Sequence, residues 1–476
     1  MLEDKIKSGV IWSTIERFSI QGVQFLMTII ISRFVMPEDY GLVAMLGILI
    51  AVANSLVDCG FSNAIVQKID RTDTDFSTVF YFNTVVSILL YIILYFSAPL
   101  IASFYEEPKL DLLTKVICTG LVLRSLSIVQ NARFQVAMNF KILTKASLIS
   151  AVISGIIGIA MAVLGYGVWS IVAQSVLSAL IQTFLLWVYA QWLPKMEFSI
   201  ESFKNLFGFG SKLMLSGLLH TIYLNLYTLV IGKYYNAADV GYYNRANSLA
   251  QYPSTNIVGI ANRVFYPALC ELQADLTAFE SLFHRYLRMS CFIVFPLSIG
   301  IAAIAEPLIS LLLTETWLPA VLPLQIISIA YLFYPILLIN NQPLQCLNHP
   351  TMFINAEIVK KITALCLLCI SLPFGLKALC LSVLVYNICD SIIIIFCSRR
   401  IMQTGFRMQF KQLSPILTAS VIMGSIVYFV SLLPIDNNLL KVLLAIFVGF
   451  ASYIGLCICL NVEELNKFRN ALREYV

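Results

Sequence analysis

The sequence predicts an all-α integral membrane protein of about fourteen transmembrane helices, built as two six-helix lobes followed by two further helices. Three observations predict it. The first is composition: 476 residues, 59% hydrophobic and 12% charged, carry more apolar surface than a water-soluble core absorbs. The mean hydropathy of +0.86 says the same. The second is segmentation into apolar stretches of the roughly 20 residues that cross a hydrocarbon core. The third is an internal echo. RFVMPEDYG at 33–41 returns as KYYNAADVG at 233–241, with Arg33/Lys233, Phe34/Tyr234, Asp39/Asp239 and Gly41/Gly241 in register.

The first apolar stretch, 8–33, follows MLEDKIKSG and is too long for a cleavable signal, so it reads as a first span entered from the cytoplasm. The others fall at 42–66, 78–104, 111–134, 144–164, 166–190, 205–232, 239–265, 286–312, 320–342, 352–373, 376–398, 413–433 and 440–460. With Met1 inside, most Lys and Arg fall in cytoplasmic loops, among them Lys68, Arg71, Lys141, Lys195, Lys204, Arg285, Arg399, Arg400 and Lys411. Only Arg33, Lys109, Lys233, Lys377 and Lys441 fall outside. This positive-inside asymmetry favours an even number of spans with both termini cytoplasmic. The net charge of +5 is then a topological signal, not a nucleic-acid footprint.

The echo is not isolated. APLIASFYEEP (98–108) is matched by EPLISLLLTET (306–316), NARFQVAMNFK (131–141) by NQPLQCLNHPT (341–351), and LGYGVWS (164–170) by FGLKALC (374–380). The order divides the chain into an N-terminal lobe (1–190), a cytoplasmic linker QWLPKMEFSIESFK (191–204), a C-terminal lobe (205–402) and a pair of additional helices with a tail (403–476). Six spans per copy make the repeats parallel, the arrangement of a transporter whose halves rock around a central crevice.

Polar residues at membrane depth are costly and therefore mark function. Span one carries Glu16 and Arg17, with Gln21 and Gln24 at helical spacing. Span four carries Arg124, then Gln130, Asn131 and Arg133; span eight carries Asn244, Arg245, Asn256, Asn262 and Arg263. Guanidinium groups from several helices suit a phosphate-bearing cargo, because the planar fork binds phosphoryl oxygens bidentately and stays charged. Arg133 and Arg263 are also placed to snorkel to an interface. In the second lobe, Asn387 and Asp390 lie one turn apart in span twelve, where a lone carboxylate suits a coupling H+ or Na+. Asp390 could instead pair with a base on another helix. His220 reads as a packing residue in preference to a proton relay, and Asp58 as a residue that caps or faces water. The twelve cysteines lie mostly within spans, and the CxxC of Cys366 and Cys369 has no second pair. No P-loop or dinucleotide-type glycine motif is present, and no cofactor is expected.

The run KSGVIWSTIERF, SRFVMPEDYGLVAM, VDCGFSNAIVQK, DFSTVFYFN, APLIASFYEEPKL and GYGVWSIVAQ resembles the polysaccharide-transport branch of the multidrug/oligosaccharidyl-lipid/polysaccharide (MOP) flippase superfamily. It is most similar to Wzx-type exporters of the colanic acid kind, most strongly over 5–180. The resemblance implies a MATE-like fold and translocation of an undecaprenyl-diphosphate-linked oligosaccharide to the outer leaflet of the bacterial inner membrane. It also implies cavity arginines that hold the diphosphate, best matched by Arg17 and Arg124 and more weakly by Arg245 and Arg263. Partners would be the lipid-linked oligosaccharide, membrane lipids, and polysaccharide polymerase and chain-length machinery. Two rivals are weaker. A cation antiporter of the same fold would line its cavity with carboxylates, and a polymerase or ligase would need a large catalytic outer loop.

Overall fold

The computed structural model describes residues 19–402 and 404–465, apart from the side chains at 209, 212, 213 and 216. Among the described residues every regular element is helical: α1 (Ser19–Ser32), α2 (Pro37–Asp58), α3 (Phe61–Gln67), α4 (Asp73–Tyr105), α5 (Lys109–Ile117), α6 (Thr119–Val136), α7 (Phe140–Val163), α8 (Val168–Ala190) and α9 (Ile200–Tyr234). There follow α10 (Ala237–Glu271), α11 (Leu276–Ala303), α12 (Ala305–Leu312), α13 (Val321–Ala330), α14 (Tyr334–Cys346), α15 (Pro350–Ser371), α16 (Gly375–Arg399), α17 (Phe406–Ser431) and α18 (Asn438–Cys459).

These helices fall where the apolar stretches predict them. Ten described segments are long and apolar enough to cross a membrane, and one of these, Pro350–Arg399, contains both α15 and α16. α9 and α10 are absent from that set although each is 35 residues long. The reason for α10 is its polar content, including Asn244, Arg245, Asn247, Gln251, Asn256, Asn262 and Arg263. A helix that polar is not suited to lipid on all sides and requires protein or water along one face.

By packing, the chain divides into two compact units, residues 1–241 and 242–476. The lobes read from the repeat are units of sequence, whereas packing assigns α9 to the first unit because it docks on α2, α3 and α4.

In the first unit the echo acquires a structural meaning. α2 begins at Pro37 and α10 at Ala237, so both copies of the motif are helix starts at the same offset. A methyl group added at Gly41 would overlap the carbonyl oxygen of Ala237, and one added at Gly241 would overlap the carbonyl oxygen of Pro37. The two copies cross each other reciprocally, and glycine permits the backbone approach at each. The repeated aspartates have diverged. Asp39 accepts from the Val168 N–H at the start of α8, while the Asp239 N–H donates to Asn236 Oδ1.

At the opposite end of the same unit, α4 opens with a capping box in which Thr72 and Asp75 satisfy each other's backbone N–H, an arrangement that stabilises a helix by about 1 kcal/mol. Lys68 closes onto Asp75 at 2.7 Å. The segment between α8 and α9 is pinned: Lys195 N–H donates to Ser77 Oγ, Ser199 N–H donates to Thr78 Oγ1, and Trp192 packs edge-on against Phe76 and Phe80.

In the second unit the core runs along α11, where Phe279, Phe283, Tyr286, Leu287 and Cys291 are fully buried. Phe265 of α10 stacks on Tyr286 at 4.5 Å. The two helices beyond the repeat dock here: α17 packs on α11, α18 packs on α17, and Tyr453 of α18 donates to the Phe292 carbonyl at 2.8 Å. Arg288 bridges to Glu463 and Glu464, tying the end of the described chain to the same helix.

Candidate functional site

The first unit presents an open cation on a rigid frame. Arg124 lies on α6, its side chain is exposed, and among the described residues its guanidinium has neither an ion pair nor a hydrogen bond. The backbone on either side of it is fixed by α8, because Thr183 Oγ1 donates to the Leu123 carbonyl at 2.8 Å and Trp187 Nε1 to the Leu126 carbonyl at 2.9 Å. The neighbouring Ser125 hydroxyl meets Ser87 of α4 at 2.8 Å. That pair and the Asp73–Arg133 bridge at 3.7 Å set α4 and α6 antiparallel. Between those two pairs lie Asn83 and Gln130, at about the same level by helical rise. Both are fully buried, and neither side-chain amide has a hydrogen-bond partner among the described residues. Leaving such a buried amide unpaired costs on the order of 1–3 kcal/mol.

The remaining expected residues of this unit are distributed as follows. Glu16 and Arg17 lie outside the described residues. Gln21 is half-buried and Gln24 exposed on α1. Arg133 is an anchor at the helix end, packed between the rings of Phe76 (5.3 Å) and Trp192 (4.9 Å) and bridged to Asp73. Asp58 accepts from the Ser62 N–H and hydroxyl in the first turn of α3, the capping alternative of the two expected of it. His220 is exposed on α9 and not packed in a core.

In the second unit α10 carries a ladder of polar side chains. Arg245 is half-buried over the buried ring of Trp317 at 5.5 Å. The Tyr331 hydroxyl lies 3.2 Å from the side-chain oxygens of both Asn247 and Gln251. Asn256 donates to the Tyr252 carbonyl, and Asn262 accepts from Gln342. Arg263 is exposed, with no partner among the described residues. Asn244 is half-buried.

Asp390 is not a lone carboxylate. Lys360 of α15 reaches it at 3.1 Å, with Asp390 and Lys360 both buried. The same ammonium donates to Glu357 Oε1 at 3.1 Å and to Asn341 Oδ1 at 3.3 Å, and Lys361 Nζ lies 3.7 Å from Glu357 Oε2. The alternative left open by the sequence, a base on another helix, is the arrangement observed. Asn387 donates its amide to the Ala330 carbonyl at 3.2 Å. Sequence reasoning passed over Lys360, because one window averages EIVKK with the apolar residues around it. The available signal was Glu357, Lys360 and Lys361 at i, i+3 and i+4 inside a span. It passed over Asn83 as well, since a single amide among aromatic residues carries no pattern. Cys366 and Cys369 are exposed on α15.

Comparison with known proteins bears on this arrangement. A family profile described as "Polysaccharide biosynthesis protein" matches residues 30–322. Among curated relatives, the chain is 26% identical over 332 residues to the teichuronic acid biosynthesis protein TuaB of Bacillus subtilis (strain 168), covering 68% of each chain. It is 24% identical to the succinoglycan biosynthesis transport protein ExoT of Rhizobium meliloti (strain 1021), covering 66% of this chain and 63% of that one. It is 25% identical to the lipopolysaccharide biosynthesis protein WzxC of Escherichia coli (strain K12), covering 69% and 67%. The matched stretch thus spans about two thirds of these relatives' length. Among solved structures, the lipid II flippase MurJ in an inward closed conformation superposes with a TM-score of 0.76 at 16% identity, covering 94% of this chain and 98% of that one. An inward-facing MATE family transporter of the MOP superfamily gives 0.61 at 16% identity, covering 79% and 94%. The fold is that of the MOP superfamily.

Proposed function

We propose a transport function from one premise: the chain belongs to the polysaccharide biosynthesis protein family. It moves a lipid-linked oligosaccharide, carried on undecaprenyl diphosphate, from the cytoplasmic to the outer leaflet of a bacterial inner membrane. The names of TuaB, ExoT and WzxC and the fold shared with MurJ support this reading. The basic loops expected inside support a topology with both termini cytoplasmic.

The observation that carries the proposal is Arg124. A guanidinium at the middle of an apolar helix, with no counter-charge among the described residues, is stable only where water or an anion reaches it. A diphosphate supplies that anion and accepts two parallel N–H bonds from the fork. Glu16, Arg17 and Gln21 of the first span, and in the second unit Arg245 and Arg263 of α10, are the further residues proposed to bind the diphosphate or the glycan. The two repeats, 1–190 and 205–402, rock in alternating access while the polyprenyl tail stays in lipid. No covalent step is involved, so the protein is a transporter and not an enzyme. An organic-cation antiporter is disfavoured by the same residue, since an open guanidinium repels its cargo.

The test is complementation of a strain lacking its own Wzx-type flippase, with variants compared at matched membrane abundance. Wild type restores surface polysaccharide, Arg124→Ala does not, and Arg124→Lys restores it partly. Export undiminished in Arg124→Ala would overturn the assignment.

A further inference from the structure

We infer that the ammonium of Lys360 is the resident cation of a monovalent-cation site in the second unit, built from Asp390, Glu357 and Asn341, and that no mobile metal ion binds there in the wild-type protein. Three oxygens from three residues on α14, α15 and α16 surround Nζ at 3.1, 3.1 and 3.3 Å. Glu357 and Asn341 accept hydrogen bonds from the ammonium and Asp390 pairs with it as a counter-charge, so the cluster supplies both its hydrogen-bond acceptors and its charge balance. The donors are all oxygen and two are carboxylates, the chemistry that otherwise holds a hard cation.

Charge bookkeeping points the same way. Lys360 and Lys361 contribute two positive charges and Glu357 and Asp390 two negative ones, so the cluster is neutral as built. Lys360 is 2% exposed and sits at the centre, where a second cation would be placed against its ammonium. Removing the Lys360 charge while keeping its length leaves one net negative charge, three oxygens without their ligand, and a half-exposed Glu357 through which an ion can enter. A Na+ site is then uncovered. The tethered amine is tied to α15 and does not exchange, so this site is indifferent to the sodium gradient.

The experiment uses the purified full chain in detergent and follows thermal unfolding by tryptophan fluorescence in NaCl or in choline chloride at equal ionic strength. Wild type is expected to unfold at the same temperature in both salts. Lys360→Met is expected to show a saturable, Na+-specific rise of about 3 °C or more, which disappears in Lys360→Met/Asp390→Asn. A saturable Na+-specific rise in the wild type would overturn the inference. So would its absence in a folded Lys360→Met. Should Lys360→Met fail to fold, Lys360→Gln takes its place, and the wild-type arm retains its power to refute. The readout is ion binding, so its failure leaves the polysaccharide reading intact, and failure of that reading leaves this one intact.

Discussion

Arg124 and Lys360 are both cations within apolar helices, and they are handled in opposite ways. Lys360 is buried and surrounded by two carboxylates and an amide oxygen. Arg124 is exposed, with no counter-charge among the described residues. The difference teaches how to read intramembrane charge. A cation whose partners are supplied by the fold is held in place by the chain's own charges, while one left open is positioned for a ligand that the fold does not contain.

Reversing the open charge is the most severe way to break this comparison. Arg124→Glu is expected to lower surface polysaccharide at least about 100-fold in the complementation assay, with Arg124→Ala losing at least about 10-fold. Neither should change the unfolding temperature much, because no contact of the fold is removed. Loss of folded protein on Arg124→Ala would put the residue in the same class as Lys360.

Breaking the closed cluster should do the converse. Asp390→Asn and Lys360→Met, measured in choline chloride, are each expected to destabilise by on the order of 3 kcal/mol, since each upsets the charge balance of a buried cluster: the first removes one of the two carboxylates around Lys360, and the second leaves Asp390 without its ion-pair partner. The double variant should recover much of that loss. A double-mutant cycle on unfolding free energies measures the coupling, and simple additivity of the two single effects would contradict the pairing.

A smaller effect is expected where the two echoed motifs cross. Gly41→Ala or Gly241→Ala forces a methyl against a backbone carbonyl and should cost about 1–3 kcal/mol, read as a lower unfolding temperature and lower membrane abundance. Equal effects at the two positions would sharpen the reciprocity of the crossing, and tolerance at either would break it. The smallest change is Thr72→Ala, which removes half of the α4 capping box and should cost about 1 kcal/mol without altering transport at matched abundance.

Most of the fold was legible in the sequence. Helices such as α7, α8, α15 and α16 begin and end within a few residues of the apolar stretches that predict them. Lipid requires each helix to satisfy its own backbone, so apolar length alone reports a span. Where an observed helix outruns its apolar stretch, as α4 does by starting at Asp73, the cause is a local polar signal: the Thr72/Asp75 capping box. The site was only half legible. Arg124 stands out because a single charge in an apolar run is visible without knowledge of neighbours. Asp390 stood out for the same reason, yet its meaning depended on Lys360, thirty residues away.

The sequence by itself therefore determined the solvent, the helices and the repeated motif, because hydropathy, capping and glycine placement act within a few residues along the chain. Tertiary structure alone decided that the Gly41 and Gly241 motifs touch, that Asn83 and Gln130 share one buried seam, and that Asp390 is closed by Lys360 while Arg124 stays open. Pairing of charges is set by distances between helices, and those distances are a property of packing that no one-dimensional pattern encodes.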